Sequence, residues 1–251
     1  MNNQEIMAYF MPPDITKGKK ALCVAPHPDD IEIGMGGIVP VLIKAGIEVE
    51  FLTVTDGSLG AYVPQLKGEV LAGVRKEEAI ASAKHLGVEK CHFLGKKDGS
   101  LCSVKKIAWE ISEVIRSGGF DMVFAPDPWL SYEGHNDHIV TGKAAAQAFI
   151  NCNLLEYPEN TKTPPANPYA IGFYFTSKPN TVIDITETFA LKFEAMAMHK
   201  SQLNEELLAL YNAYFSMRGA NLAAGKDFSI GEGLKVLSPL HLHCFPEGEQ
   251  I

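Results

Sequence analysis

Cysteine gives this chain of 251 residues neither a disulfide framework nor a thiolate metal site. Its five cysteines, Cys23, Cys91, Cys102, Cys152 and Cys244, are odd in number, widely spaced and free of any C-x-x-C pair. No apolar run approaches the ~20 residues that span a bilayer. Residues 1–20 also lack the apolar stretch behind a basic start that marks an export signal. Basic clusters are scarce: 22 Lys and Arg stand against 30 Asp and Glu, for a formal charge of −8, and beyond Lys17, Lys19 and Lys20 no block of cations occurs. A nucleic-acid-binding or anionic-membrane-binding surface needs such blocks, so no nucleic acid and no membrane is expected as a partner. There is no low-complexity tract, and with 46% hydrophobic and 21% charged residues the composition is that of an ordinary globular protein rather than a disordered, collagen-like or coiled-coil one. A G-x-S-x-G elbow is missing, and no cysteine sits at a loop beside an obvious His, which disfavours Ser or Cys nucleophiles. What remains is a protein of the reducing cytoplasm with a small-molecule partner.

The length fits a single domain over residues 1–251 with a sizeable core. Residues 1–150 repeat one pattern, a short β-rich apolar run, a loop, then a stretch of helical period, which predicts βαβ units around a parallel sheet. The predicted strands are 20–25, 49–55, 91–94 and 122–125, and the helices that follow them are 36–44, 69–86, 104–116 and 138–149. Residues 151–169, rich in Pro, Asn and Thr, read as a surface connection to later elements. Strands at 171–176 and 181–185, helices at 187–198 and 204–219, and a strand or irregular segment at 233–245 complete the expectation of an α/β, Rossmann-like three-layer sandwich with a mostly parallel sheet.

Ligands of such a sheet bind outside the carboxyl ends of its strands. The loops expected there carry the unusual residues: Pro26-His27-Pro28-Asp29-Asp30, Thr55-Asp56-Gly57-Ser58-Leu59-Gly60, Lys97-Asp98-Gly99, and the run from Asp127 to His138. His27 and Asp30 can point at one centre from a tight turn, with Asp29 facing a water; the plainer alternative makes Asp29 or Asp30 a helix cap. His135 and His138, at i and i+3, share a helix face. Two His and one Asp with open positions suit zinc in its catalytic form, or Fe(II), and the βαβ framework favours zinc hydrolysis. Asp29 is then open to the role of base and His135 to that of oxyanion donor. The glycines Gly34, Gly36 and Gly37 lack the G-x-G-x-x-G spacing of a dinucleotide turn and are better explained by close helix–sheet packing.

The run Ala25-Pro-His-Pro-Asp-Asp30 with a late His-x-Asp-His resembles the LmbE-like (PIG-L) de-N-acetylases, zinc enzymes of Rossmann-like fold. Thr55-Asp-Gly-Ser-Leu-Gly60, Ala125 to His138, Ser177-Lys-Pro-Asn180, Val182-Ile-Asp-Ile-Thr186 and His199-Lys-Ser-Gln202 are similar to the diacetylchitobiose deacetylase branch. The resemblance implies that His27, Asp30 and His138 bind Zn2+, that Asp29 is the general base, and that His135 stabilises the oxyanion and serves as acid. It implies sugar contacts from Arg75 and Asp98, whose alternatives are a surface helix Arg and a turn Asp. Trp129 and Tyr132 are candidates for an apolar wall against a pyranose, with core packing as the alternative, and His243 for a segment reaching a neighbouring subunit's site in a homo-oligomer, trimer or hexamer. Where the family has His-Pro-Asp-His this chain has His135-Asn136-Asp137-His138, which removes no ligand. The implied reaction removes acetyl from an N-acetylglucosamine unit of an amino-sugar substrate. Hydrolysis of a thiol-sugar conjugate or another acylated amine, and a binding module with a vestigial metal site, are the alternatives.

Overall fold

The computed structural model describes residues 10–243 and 245–251, so Cys244 lies outside the described residues. Among the described residues, seven strands and seven α-helices follow one another: β1 (Lys20–Ala25), α1 (Asp30–Met35), α2 (Ile38–Lys44), β2 (Glu48–Thr55), α3 (Glu69–His85), β3 (Lys90–Lys96), α4 (Val104–Gly118), β4 (Met122–Pro126), α5 (Asn136–Asn151), β5 (Ala170–Tyr174), β6 (Thr181–Asp184), α6 (Phe189–Met196), α7 (Glu205–Leu222) and β7 (Gly231–Leu237).

One sheet runs in the order β3-β2-β1-β4-β5-β7-β6. The first five of these are parallel, in register Ala21 with Val49 and with Met122, whereas β7 runs antiparallel to both β5 and β6. The strand period of two sorts the side chains between two cores. Ala21, Cys23, Val49, Phe51, Met122 and Phe124 meet α1, α2 and α3 on one face; Leu22, Val24, Leu52, Val54, Val123 and Ala125 meet α4 and α5 on the other. This is the expected three-layer sandwich. Helix α4 shows how the sequence makes its elements: Ser103 caps it by accepting from the Lys106 amide, Ile107, Ile111 and Ile115 recur at i+4 on its buried side, and Gly119 ends it at φ 65°.

Two expectations need correction. The helix expected over residues 36–44 begins at Ile38 as α2, and a separate helix that was not expected, α1 (Asp30–Met35), precedes it across Gly36 and Gly37. Pro40 has no N–H to give and is tolerated only in a first turn, so α2 restarts at Ile38. The break also rests on close approach: a side chain on Gly34 would collide with Tyr174, and one on Gly37 with Ile185 at 2.7 Å. The glycine cluster is therefore a packing feature, as expected. The ambiguous C-terminal segment is a buried strand at residues 231–237, followed by turns and a short 3-10 helix, Pro246–Glu249.

Strand order reverses between β1 and β4, whose connections leave toward opposite sides of the sheet. A crevice forms at such a switch point, outside the carboxyl ends of the two strands. The loops after β1 and β4 carry His27, Asp29, Asp30, His135 and His138 into it.

Candidate metal centre

Asp29, immediately before α1, takes a left-handed φ of 116°, and its side chain makes no capping hydrogen bond. A left-handed non-glycine residue stores strain, and such outliers concentrate at functional sites. The turn that results aims Asp30 inward: Asp30 Oδ2 accepts from the His27 backbone amide at 2.8 Å and lies 3.1 Å from His27 Nδ1. Asp30 Oδ1 is 3.3 Å from His138 Nε2. The capping alternative for Asp29 and Asp30 therefore does not describe this turn.

His135 stands at the N-cap position of α5 and His138 in its first turn. Glu133 Oε1 fixes that start by accepting from the His135 amide at 2.7 Å, while Glu133 Oε2 lies 3.7 Å from His138 Nδ1. The His135 ring is centred 4.6 Å from that of His27 and 5.3 Å from that of His138.

Donor atoms of His27, Asp30 and His138 all fall within 4.8 Å of one another, a group able to hold a metal ion. The residues fit a cation in two further respects. Buried His27 Nε2 and His138 Nδ1 have no hydrogen-bond partner, yet each faces carboxylates: His27 Nε2 is 3.2 Å from Asp98 Oδ1 and 3.6 Å from Asp137 Oδ2. With Nδ1 of His27 and Nε2 of His138 turned toward Asp30, the outer nitrogens face Asp98, Asp137 and Glu133, the carboxylate–imidazole pairing that orients metal-ligating histidines. The electrostatics point the same way. Burial pushes the His27 imidazole down, but Asp137, Asp30 and Asp98 outweigh it and raise its pKa, and Asp30 likewise raises that of His138 against burial. An environment that binds an extra proton this firmly also attracts a divalent cation.

The remaining groups build a polar cleft of about 280 Å³ lined by Asp29, Arg75, Asp98, His135 and Gln202, among others. Burial raises the Asp29 carboxyl, Arg75 opposes the rise and Asp30 adds to it, leaving a pKa of about 6. Arg75 is buried rather than a surface residue of its helix. It donates to Gly57 O at 2.9 Å and to Pro28 O at 2.7 Å, tying the loops after β2 and β1 together, and it lies 3.2 Å from Asp29 Oδ2. Asp98 is more than a turn residue: it is buried and accepts from the Leu59 amide at 3.0 Å.

Trp129 and Tyr132 are 56% and 99% exposed, which disposes of the core-packing alternative for both. Trp129 leans edge-on against Phe173. His243 is exposed in the turns after β7, and the walls of the two clefts at the centre include none of these three residues.

Sequence reading assigned no role to four residues that the structure brings into play. Asp137 is fully buried and holds the Gly99 amide at 2.8 Å as well as facing His27; its place inside the His-x-Asp-His run was the available signal. Glu133 faces His138. Glu32 and His199 form a buried pair at 3.2 Å; the motif His199-Lys-Ser-Gln202 and the i+2 spacing of Glu32 from Asp30 were the available signals.

An open α/β sheet whose switch point gathers two imidazoles and one carboxylate, with a further carboxylate beside them, is an arrangement able to hold a metal ion with positions left open. Comparison with known proteins agrees. The family model described as PIG-L, GlcNAc-PI de-N-acetylase, matches residues 22–149. The diacetylchitobiose deacetylase of Thermococcus kodakarensis is 37% identical over 233 residues, covering 91% of this chain and 86% of that protein. The solved structure of N,N'-diacetylchitobiose deacetylase from Pyrococcus horikoshii, complexed with its inhibitor MPG, is similar at a TM-score of 0.90 and 32% identity, covering 100% of this chain and 98% of that one. GalB, the 4-carboxy-2-hydroxymuconate hydratase of Pseudomonas putida KT2440, shares the fold at a TM-score of 0.72 and 23% identity, covering 87% of this chain and 96% of its own. The chain belongs to the PIG-L family of de-N-acetylases.

Proposed function

We infer that this protein is a zinc-dependent hydrolase that removes the N-acetyl group from an N-acetylglucosamine-containing sugar, such as diacetylchitobiose, releasing acetate and a free amine. The observation that carries the reading is the convergence of His27, Asp30 and His138 within 4.8 Å of one another beside the polar cleft. The match to diacetylchitobiose deacetylase over 91% of the chain supports the substrate class.

Two nitrogens and one carboxylate oxygen leave positions open, as catalytic zinc sites do. A zinc ion held there supplies Lewis acidity toward the amide oxygen and acidifies water. Asp29, beside the metal-capable set and on the wall of the polar cleft, takes the proton of the attacking water. Arg75 keeps the Asp29 carboxylate in place through its contact at 3.2 Å. His135 steadies the oxyanion of the tetrahedral transition state, and the proton taken by Asp29 is returned to the departing amine. Arg75 and Asp98, on the wall of the polar cleft, take the sugar hydroxyls. The exposed Trp129 and Tyr132 offer apolar faces to a pyranose beyond the cleft walls, and His243 is reserved for a neighbouring subunit's site in a homo-oligomer. Among the described residues no helix is long and apolar enough to cross a membrane. The four described cysteines are unpaired, which supports a cytoplasmic setting.

The test is Asp29→Ala in zinc-loaded protein. Zinc content stays stoichiometric and deacetylation falls by about 10²–10⁴-fold, the usual worth of a positioned base. Full activity with zinc retained would remove Asp29 from the role.

A further inference from the structure

A second and larger cleft, of about 570 Å³, also reaches the metal centre, and the deacetylase reading leaves it without an occupant. Its wall includes Asp30 and His138, two of the three metal-capable residues, but shares no residue with the polar cleft. From there it runs between α1, α6 and α7, past Ile33, Phe175, Phe189, Tyr211, Phe215 and Leu222. A cleft of this size falls in the range that holds a drug-sized ligand, and an acetyl methyl fills only a small part of it.

Its chemistry is that of an uncharged, mainly apolar guest, because Lys192 and Glu232 neutralise each other and Arg218 is held by a backbone carbonyl. Lys192 is buried, donates to Glu232 and to Ile33 O at 2.7 Å, and lies 4.1 Å above the Phe215 ring. Glu232 Oε2 accepts from the Ile38 amide at 2.9 Å. Arg218 donates to Thr176 O at 2.8 Å.

An amide cleaved at the centre has two substituents to place. The polar cleft, with Arg75, Asp98 and Gln202, suits the hydroxyl-bearing amine side, which leaves the apolar cleft for the acyl side. We propose that this cleft is an acyl-chain subsite, and that the protein hydrolyses glucosamine amides of medium-chain acids, from butyryl to octanoyl, as well as of acetic acid. The inference rests on the deacetylase reading for its chemistry and extends it to a substrate class. The bond changes are those of amide hydrolysis: water oxygen joins the acyl carbon, the C–N bond breaks, and the proton taken by Asp29 ends on the departing nitrogen.

The test uses the free acids, which carry the acyl chain without needing turnover. Binding of acetate, butyrate, hexanoate and octanoate to the zinc-loaded protein is measured by calorimetry, alongside acetate release from N-acetylglucosamine and octanoate release from N-octanoylglucosamine. Affinity is expected to rise by about fourfold per added methylene, and octanoylglucosamine to be hydrolysed with kcat/KM at least equal to that of the acetyl substrate. Ile33→Trp, on the cleft wall, flattens the chain-length dependence, and Ser177→Trp, at an exposed lining position, does so without touching the core. A flat series in the unaltered protein, or a rising one that both variants leave intact, overturns the subsite while acetate release still stands. A rising series that the variants flatten, in a protein that releases no acetate, keeps the cleft as an acyl site and removes the deacetylase reading instead.

Discussion

Asp137 offers a sharp separation of fold from function, because its carboxylate does two things at once. Oδ2 accepts the Gly99 amide at 2.8 Å, joining the start of α5 to the loop after β3, and lies 3.6 Å from His27 Nε2. Asp137→Asn keeps an acceptor for Gly99 and the side-chain volume, but removes the negative charge that orients His27. Loss of such a carboxylate partner typically costs about 10–100-fold in metal affinity. The structure puts Asp137 toward the lower end of that range, since Asp98 Oδ1 faces the same nitrogen at 3.2 Å and remains. Asp137→Ala also removes the acceptor of the Gly99 amide, whose residue is exposed to water, a loss of about 0.5–1.5 kcal/mol of stability. For a domain of this size each kcal/mol lowers Tm by roughly 2–4 °C. Competition for zinc against a chromophoric chelator, paired with thermal melting of the metal-free proteins, reads the two effects apart. The asparagine variant should weaken zinc by about tenfold with little change in apo Tm, and the alanine variant should do both. Zinc affinity within twofold of the parent in both variants would refute the assignment of Asp137 as an orienting partner of His27.

Three further outcomes follow from the same structure. Burial pushes the Glu50 carboxyl up, but hydrogen bonds from Lys20, His92 and Lys90 outweigh it and hold the pKa at about 2, against an ordinary 4.5. A folded pKa below the unfolded one stabilises above the unfolded value and is lost as pH falls through the folded one. Stability should therefore drop between about pH 4.5 and 2, and Glu50→Gln should flatten that limb in acid-unfolding curves; an unchanged limb would contradict the cause given. Gly34→Ala drives a methyl into Tyr174, whose hydroxyl donates to Val24 O at 2.8 Å; a loss of about 1–3 kcal/mol in denaturant unfolding is expected, and a neutral result would mean the ring is free to yield. Lys192→Met leaves Glu232 buried with an unpaired charge, and urea titration should show a loss of about 3–5 kcal/mol; a loss under about 1 kcal/mol would mean Glu232 finds water there.

The parallel half of the fold was legible because its strands are short runs of buried apolar residues bounded by turn-forming loops, and four of them alternate with amphipathic or capped helices. The metal-capable set was legible for a related reason: once the strands are ordered, the loops after β1 and β4 have to meet. What sequence could not reveal depends on tertiary contact. The division of α1 from α2 comes from Pro40 and from the approach of Tyr174 and Ile185, residues far along the chain. Strand β7 was obscured by its glycines and by Glu232 and Lys235, both buried in a segment whose composition reads as polar. Arg75 looks like any helix-surface arginine until its guanidinium is seen holding Gly57 O and Pro28 O. Asp137 carried the clue in its motif, but its partner Gly99 sits in a loop that no spacing rule connects to it.

The central claim is metal-dependent de-N-acetylation, and its most direct test is acetate release from N-acetylglucosamine and diacetylchitobiose by the purified protein, before and after chelator treatment and after return of zinc. Release that the chelator abolishes and zinc restores is the expected result. No release from either sugar by protein carrying one zinc per chain, or release indifferent to the chelator, would contradict it.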